Sequence, residues 1–222
     1  MPTGQYLIAI CDVLGFTNLV GSTPLDQIAQ RYLSLLAELD PHPLFRITPA
    51  TYEREVVLNR VVFSDTILMW APAGDTMEIL PFVLAQLMGN AVGSMPLRAG
   101  LAFGECVIDP GNELYIGQPI VDAYRTEQAQ EWMGGTFHPS CWARGGFRDA
   151  LLHGGSAIEY PVPVKAKAPP LEYALNWPGF VGADFSVDVL TTSETHPTAA
   201  AKVKWLNARR FYEAVVNRSG RR

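Results

Sequence analysis

Ile10-Cys11-Asp12-Val13-Leu14-Gly15-Phe16-Thr17, read together with Val62-Phe63-Ser64-Asp65-Thr66-Ile67, decides the fold of this chain. The first run closes a short apolar stretch, Leu7 to Cys11, that reads as a buried strand. It ends in a carboxylate and turns at Gly15. The second reads as a hairpin, with strands Val56 to Phe63 and Thr66 to Trp70 joined by a tight Ser64-Asp65 turn without glycine. Each aspartate alone is equally a plain turn residue. Adjacent strands of one sheet, however, would bring both carboxylates to the same end. Two carboxylates about 4–6 Å apart repel, and a divalent cation relieves that repulsion. Backbone N–H groups at the Gly15 turn are suited to holding phosphate.

Working outward, Thr23-Pro24 opens a helix with Thr as N-cap and Pro at the first helical position. Its stripe is Ile28, Tyr32, Leu35, Leu36 and Leu39, and Pro41 and Pro43 stop it. Asp75 to Val92 has helical spacing, Leu97 to Val107 alternates as a strand, and Asp109-Pro110-Gly111-Asn112 is a turn. Pro119 to Trp132 reads as a helix ended by Gly134-Gly135, with a short helix near Phe147 to Leu152. Tyr160 to Trp177 reads as strand, basic loop, strand, and Ala199 to Val216 as a helical tail. The order predicts an α+β sandwich, a mostly antiparallel sheet with helices packed on it.

Composition narrows the function classes. The 222 residues are 48% hydrophobic, enough for a real core, and 18% charged, with a net charge of −5. No global basic field exists, so a nucleic-acid partner is not expected. No apolar run is long enough to cross a membrane, and the N-terminus lacks the basic region of a signal peptide. Cys11, Cys106 and Cys141 are odd in number and widely spaced, which suits reduced thiols in the cytoplasm. Lys202, Lys204, Arg209 and Arg210 of the tail helix read as a solvated face.

From about residue 5 to 177 the chain resembles the class III nucleotide cyclases. The resemblance rests on Asp12 followed by Gly15-Phe16-Thr17, on Ser64-Asp65 where the family has Gly-Asp, and on Arg98-Ala99-Gly100-Leu101 with Gly104-Glu105. It continues in Gly117, Ile120 and Arg125, and in Val164-Lys165-Ala166-Lys167 before the last strand. It implies the ferredoxin-like cyclase sandwich over residues 1–178, with 179–222 as an extension whose helix packs on the same domain or on a dimer partner. It also implies that Asp12 and Asp65, with the Val13 backbone, bind two Mg²⁺ or Mn²⁺ ions. One ion would activate the ribose 3′-hydroxyl of a nucleoside triphosphate and the other would hold the β- and γ-phosphates. The backbone from Val13 to Thr17, including Gly15, Phe16 and Thr17, would cradle the distal phosphates, and Lys165 would bind the triphosphate. Arg125 would act across a head-to-tail homodimer with composite sites.

The base-reading positions depart from the family. Where purine cyclases place Lys or Glu, four residues before the second aspartate, this chain has Val61, with Arg60 beside it. Leu114 stands where an Asp, Cys or Thr is expected, and Val121 where an Asn would hold the ribose. A purine edge facing Val61 and Leu114 would lose side-chain hydrogen bonds at about 1–3 kcal/mol each. Altered base readers beside intact phosphate and metal positions resemble the pyrimidine cyclases of bacterial Pycsar anti-phage systems. In those, cyclic UMP or cyclic CMP activates a separate effector. Tyr52, Arg60, Arg98 and Tyr124 are candidates to line a pyrimidine pocket, with UTP the first-choice substrate and CTP the second. A purine cyclase with a non-standard pocket and a catalytically silent binding domain remain the alternative functions.

Overall fold

Strand β1 (Thr3–Val13) is the hub of the sheet, because it pairs along its length with two antiparallel neighbours. These are β3 (Thr66–Pro72) and β4 (Leu97–Asp109). The computed structural model describes residues 3–39, 58–74, 77–182, 184–190 and 198–219. Beyond β3 lies β2 (Asn59–Phe63), the other arm of the hairpin, whose Ser64 takes a left-handed φ of 56° in place of glycine. On the other side β4 pairs antiparallel with β5 (Leu114–Gly117) and parallel with β6 (Gly134–Phe137). Strands β7 (Ala157–Glu159) and β8 (Tyr173–Leu175) complete the order β2-β3-β1-β4-β6-β8-β7, with β5 off that path. The result is the expected α+β sandwich, antiparallel but for one pair.

Alternation along β1 sets the two faces. Leu7, Ala9, Cys11 and Val13 enter the larger core with Ile67, Met69, Leu97, Ala99 and Leu101. That core is covered by α2 (Leu25–Ala37), α3 (Ile79–Ala91), α5 (Phe147–His153) and α6 (Ala199–Ser219). Ile8 and Ile10 enter a smaller cluster on the other face with Trp70, Ala102 and Ala123 of α4 (Gln118–Ala129). Gly100 admits α4: a Cβ there would stand 2.2 Å from the Ala123 carbonyl oxygen. The tail helix docks through Ala208, Phe211 and Val215, with Phe211 5.0 Å from Trp132, and Asn207 Nδ2 donates to the Glu131 carbonyl at 2.8 Å.

Several elements differ from the sequence reading. A seven-residue helix, α1 (Phe16–Ser22), follows the Gly15 turn, and Thr23 closes it by donating its N–H to Leu19 O rather than capping the next helix. Helix α2 starts at Leu25. Gly134-Gly135 does not stop α4, which ends at Ala129. Those glycines lie inside β6, where a Cβ on Gly134 would meet Trp132 at 2.6 Å and one on Gly135 would meet Leu175 at 2.4 Å. Strand β5 follows the Asp109 turn, and β7 ends before Tyr160. Among the described residues no helix is long and apolar enough to cross a membrane, and all three cysteines are buried and unpaired.

Candidate functional site

Asp12 is the penultimate residue of β1, opposite Thr66 of β3 and Arg98 of β4. Asp65 is in the β2–β3 turn, and its carbonyl accepts the Val13 N–H at 3.1 Å. The pairing of β1 with the hairpin thus brings the two carboxylates to one end of the sheet, where each feels the other's charge. Burial pushes Asp12 up from its ordinary 3.8 to about 6; the charges of Glu127 and Asp65 push the same way, and Arg98 opposes them.

Arg98 is 4% exposed and fully engaged. Its Nε donates to Glu127, which is itself 1% exposed on the inner face of α4. Its Nη1 donates to the Gln130 carbonyl at 3.3 Å, and Nη2 stands 3.6 Å from Asp12 Oδ2. One guanidinium therefore serves Asp12 and Glu127 while Asp65 adds a third negative charge. A hard divalent cation held by carboxylate oxygens would correct that excess. Tyr32 adds a second sign: its hydroxyl is buried without a hydrogen-bond partner among the described residues, and burial followed by the charges of Asp65, Cys11 and Asp12 raises it to about 12. Among the described residues no group of three or more His, Cys, Asp or Glu side chains is placed to hold a metal ion, so Asp12 and Asp65 would be the acid ligands. Two carboxylates and an orphaned hydroxyl fit a Mg²⁺ or Mn²⁺ site whose remaining ligands would come from substrate and water.

The phosphate cradle is shorter than expected. The Val13 and Leu14 N–H groups are spent on Asp65 O and on Pro96 O at 2.8 Å. What is left at this turn is Gly15, with φ 77°, and the first turn of α1 with Phe16 and Thr17. Lys165 is exposed, and its own N–H anchors to Ala129 O at 2.8 Å. Lys165 and Lys204 of α6 are close enough to affect each other's charge, and Lys204 also senses Asp12 and Arg98.

The expected base pocket comes apart within one chain. Val61 lies opposite Leu68 and so shares the face of Ile10 and Asp12. Arg60 does not. It pairs with Met69 on the face of the larger core, and its Nη1 donates to Leu39 O at 3.3 Å, so it leaves the wall that Val61 forms. Arg98 is likewise removed as a base reader by its buried ion pairs. Leu114 pairs with Asp109, eleven positions along β4 from Arg98, or roughly 35 Å at the rise of a strand. Val121, Tyr124 and Arg125 form the exposed face of α4, and Arg125 makes no ion pair with any described residue. Tyr52 lies outside the described residues.

No protein-family model matches this chain, and no curated protein matches it in sequence. Solved structures do match in shape. A bacterial light-regulated adenylyl cyclase superposes with a TM-score of 0.52 at 11% identity, over 80% of this chain and 92% of that one. The fold is that of a class III nucleotide cyclase catalytic domain. An adenylate cyclase from Trypanosoma brucei aligns at 0.49 and 14% identity, covering 84% of this chain and 93% of its own. The catalytic core of a rhodopsin-guanylyl cyclase of converted specificity, in complex with ATPαS, aligns at 0.47 and 13% identity, covering 78% and 96%.

Sequence reasoning missed three members of this cyclase-fold site. Glu127 was legible in principle, since Ala123, Glu127 and Gln130 share one helical face and a carboxylate on a buried face needs a cation. Tyr32 was read only as helix stripe. Lys204 was read as solvated, whereas it is half-buried.

Proposed function

We propose that this chain is a nucleotide cyclase that converts a pyrimidine nucleoside triphosphate, UTP first and CTP second, to its 3′,5′-cyclic monophosphate and pyrophosphate. The observation that carries the reading is the Asp12–Asp65 carboxyl pair at one end of a cyclase-fold sheet, with negative charge in excess of Arg98. Two divalent cations, Mg²⁺ or Mn²⁺, supply activation of the ribose 3′-hydroxyl and neutralisation of phosphate charge when bound. Asp12 and Asp65 hold them, aided by the Val13 carbonyl. Gly15, Phe16 and Thr17 present backbone N–H groups to the distal phosphates, and Lys165 pairs with the triphosphate. The 3′-oxygen, its proton passed to water, attacks the α-phosphorus in line as the bond to the departing pyrophosphate breaks, and Arg125 of the partner subunit steadies the charge that develops there.

A homodimer with composite sites belongs to this reading. Val61, Phe63, Ile116, Val121 and Tyr124 are exposed apolar side chains, and Arg125 lacks a partner within its own described chain. Leu114 lies too far along β4 to serve the Asp12 of its own chain, so a head-to-tail partner is what would bring it to a base. The division into a cyclase domain, 1–178, and an extension, 179–222, goes with it.

Pyrimidine preference rests on Val61 and Leu114. Neither can hydrogen-bond a purine edge, and losing two such contacts at about 1–3 kcal/mol each lowers discrimination by one to four orders of magnitude. The product would act as a second messenger for a separate effector in anti-phage defence. The test is competition among ATP, GTP, UTP and CTP at equal concentration with Mn²⁺, the product identified by mass spectrometry. Cyclic UMP or cyclic CMP is expected. Cyclic AMP or cyclic GMP as main product would replace the pyrimidine reading with a purine one, and no product from any triphosphate would leave a silent domain.

A further inference from the structure

The inward stripe of α6 runs Lys204, Ala208, Phe211, Val215, at helical spacings of four, three and four. The last three are buried in the main core. Lys204 occupies the same stripe one turn earlier, so docking of the apolar part carries an ammonium to the end of the sheet. It enters a cavity of about 430 Å³ lined by Gly15 and Asn18 beside the end of β1, Ser94 and Pro96 before β4, and Trp205 next to it. That volume lies within the range of small-molecule sites. No other charged side chain of a described residue lines the cavity.

We propose that Lys204, delivered by the C-terminal helix, is a binding residue for the phosphate chain of the nucleotide, so that the extension completes the site. The inference rests on the cyclase reading for the identity of the ligand. The groups facing Lys204 are mixed. Burial and the like charges of Arg98 and Lys165 hold its ammonium below the ordinary lysine range, and Asp12 and Glu127 act the other way. Among the described residues neither Lys204 nor Lys165 makes an ion pair, and two unpaired ammonium groups that feel each other attract a polyanion. Lys204 and Lys165 feel each other's charge from different elements, one on α6 and one in the turn before β8. The lysine side chain is a point charge on a flexible stem, suited to following a phosphate chain rather than fixing one planar group.

The experiment uses the full chain and inorganic tripolyphosphate, which has no base or ribose, titrated calorimetrically. Lys204→Gln should weaken tripolyphosphate binding at least about tenfold, and Lys204→Arg should stay within about threefold of the parent, since it keeps the charge. Lys202→Gln, an exposed neighbour on the same helix, should bind as the parent does. Circular dichroism and thermal melts confirm that each variant is folded. Unchanged binding in Lys204→Gln, or no tripolyphosphate binding by the parent chain, would overturn the inference. Turnover separates it from the cyclase reading. Cyclic product with Lys204→Gln unaffected removes Lys204 and leaves the cyclase. Lys204-dependent tripolyphosphate binding without cyclic product from any triphosphate keeps the phosphate site and removes the cyclase.

Discussion

Asp12 and Arg98 face each other across β1 and β4 with 3.6 Å between Oδ2 and Nη2, yet Arg98 is committed more closely to Glu127. The carboxylate that would hold metal is therefore steadied by a cation but not neutralised by one. This half-satisfied state is costly without metal and useful with it.

Replacing either Asp12 or Asp65 with Asn should abolish cyclic nucleotide formation while the fold persists, since neither side chain belongs to the apolar clusters. Product formation by Asp65→Asn within about threefold of the parent rate would refute the assignment of two metals to this pair.

Asp12 also makes stability depend on pH. Its folded value, about 6, lies above the ordinary 3.8, so its contribution to stability is fully present below pH 3.8 and is lost as pH rises through about 6. With a quarter of the side chain exposed, the effect should be about 1–2 kcal/mol. Metal-free parent protein should lose that much between pH 4 and pH 7 relative to Asp12→Asn, by urea titration at each pH. Mn²⁺ affinity should run the opposite way, weakening as the pH falls through about 6, because the ligand must give up its proton.

Glu127 tests the buried ion pair. Glu127→Ala strands the Arg98 guanidinium in a site 4% exposed and should cost about 3–5 kcal/mol in chemical denaturation. A loss below about 1 kcal/mol would mean that Asp12 takes over as the partner of Arg98.

Mixing Asp12→Asn chains with Arg125→Ala chains should restore part of the activity, because one of the two sites in a heterodimer regains all its parts. Absence of rescue, with heterodimers demonstrated by native mass spectrometry, would remove Arg125 from the neighbouring site.

The legible parts of this protein were those set by local chemistry. Asp12 with Gly15, and Ser64 with Asp65, sit at strand ends where turn residues announce themselves, and the stripe of α2 is periodic. Gly134 and Gly135 misled because glycine has two uses. It can end a helix, or it can let Trp132 and Leu175 approach a strand, and only distant residues decide which. Helix α1 is too short to show a period, and none of its residues is buried. The burial of Lys204 follows from where Phe211 docks against Trp132 and Trp177, a long-range fact, although the spacing of Lys204 to Ala208 was open to view.

Strand β4 carries Arg98 at one end and the partner of Leu114 at the other. A change near Leu114 is thus insulated by the length of the strand from the acids at Asp12 and Asp65. If Leu114 reads the base as proposed, such a layout would separate, in inheritance, the question of which molecule is accepted from the question of how it reacts. Drift at the distant end would then explore new bases one substitution at a time, while the acid end stayed under its own selection.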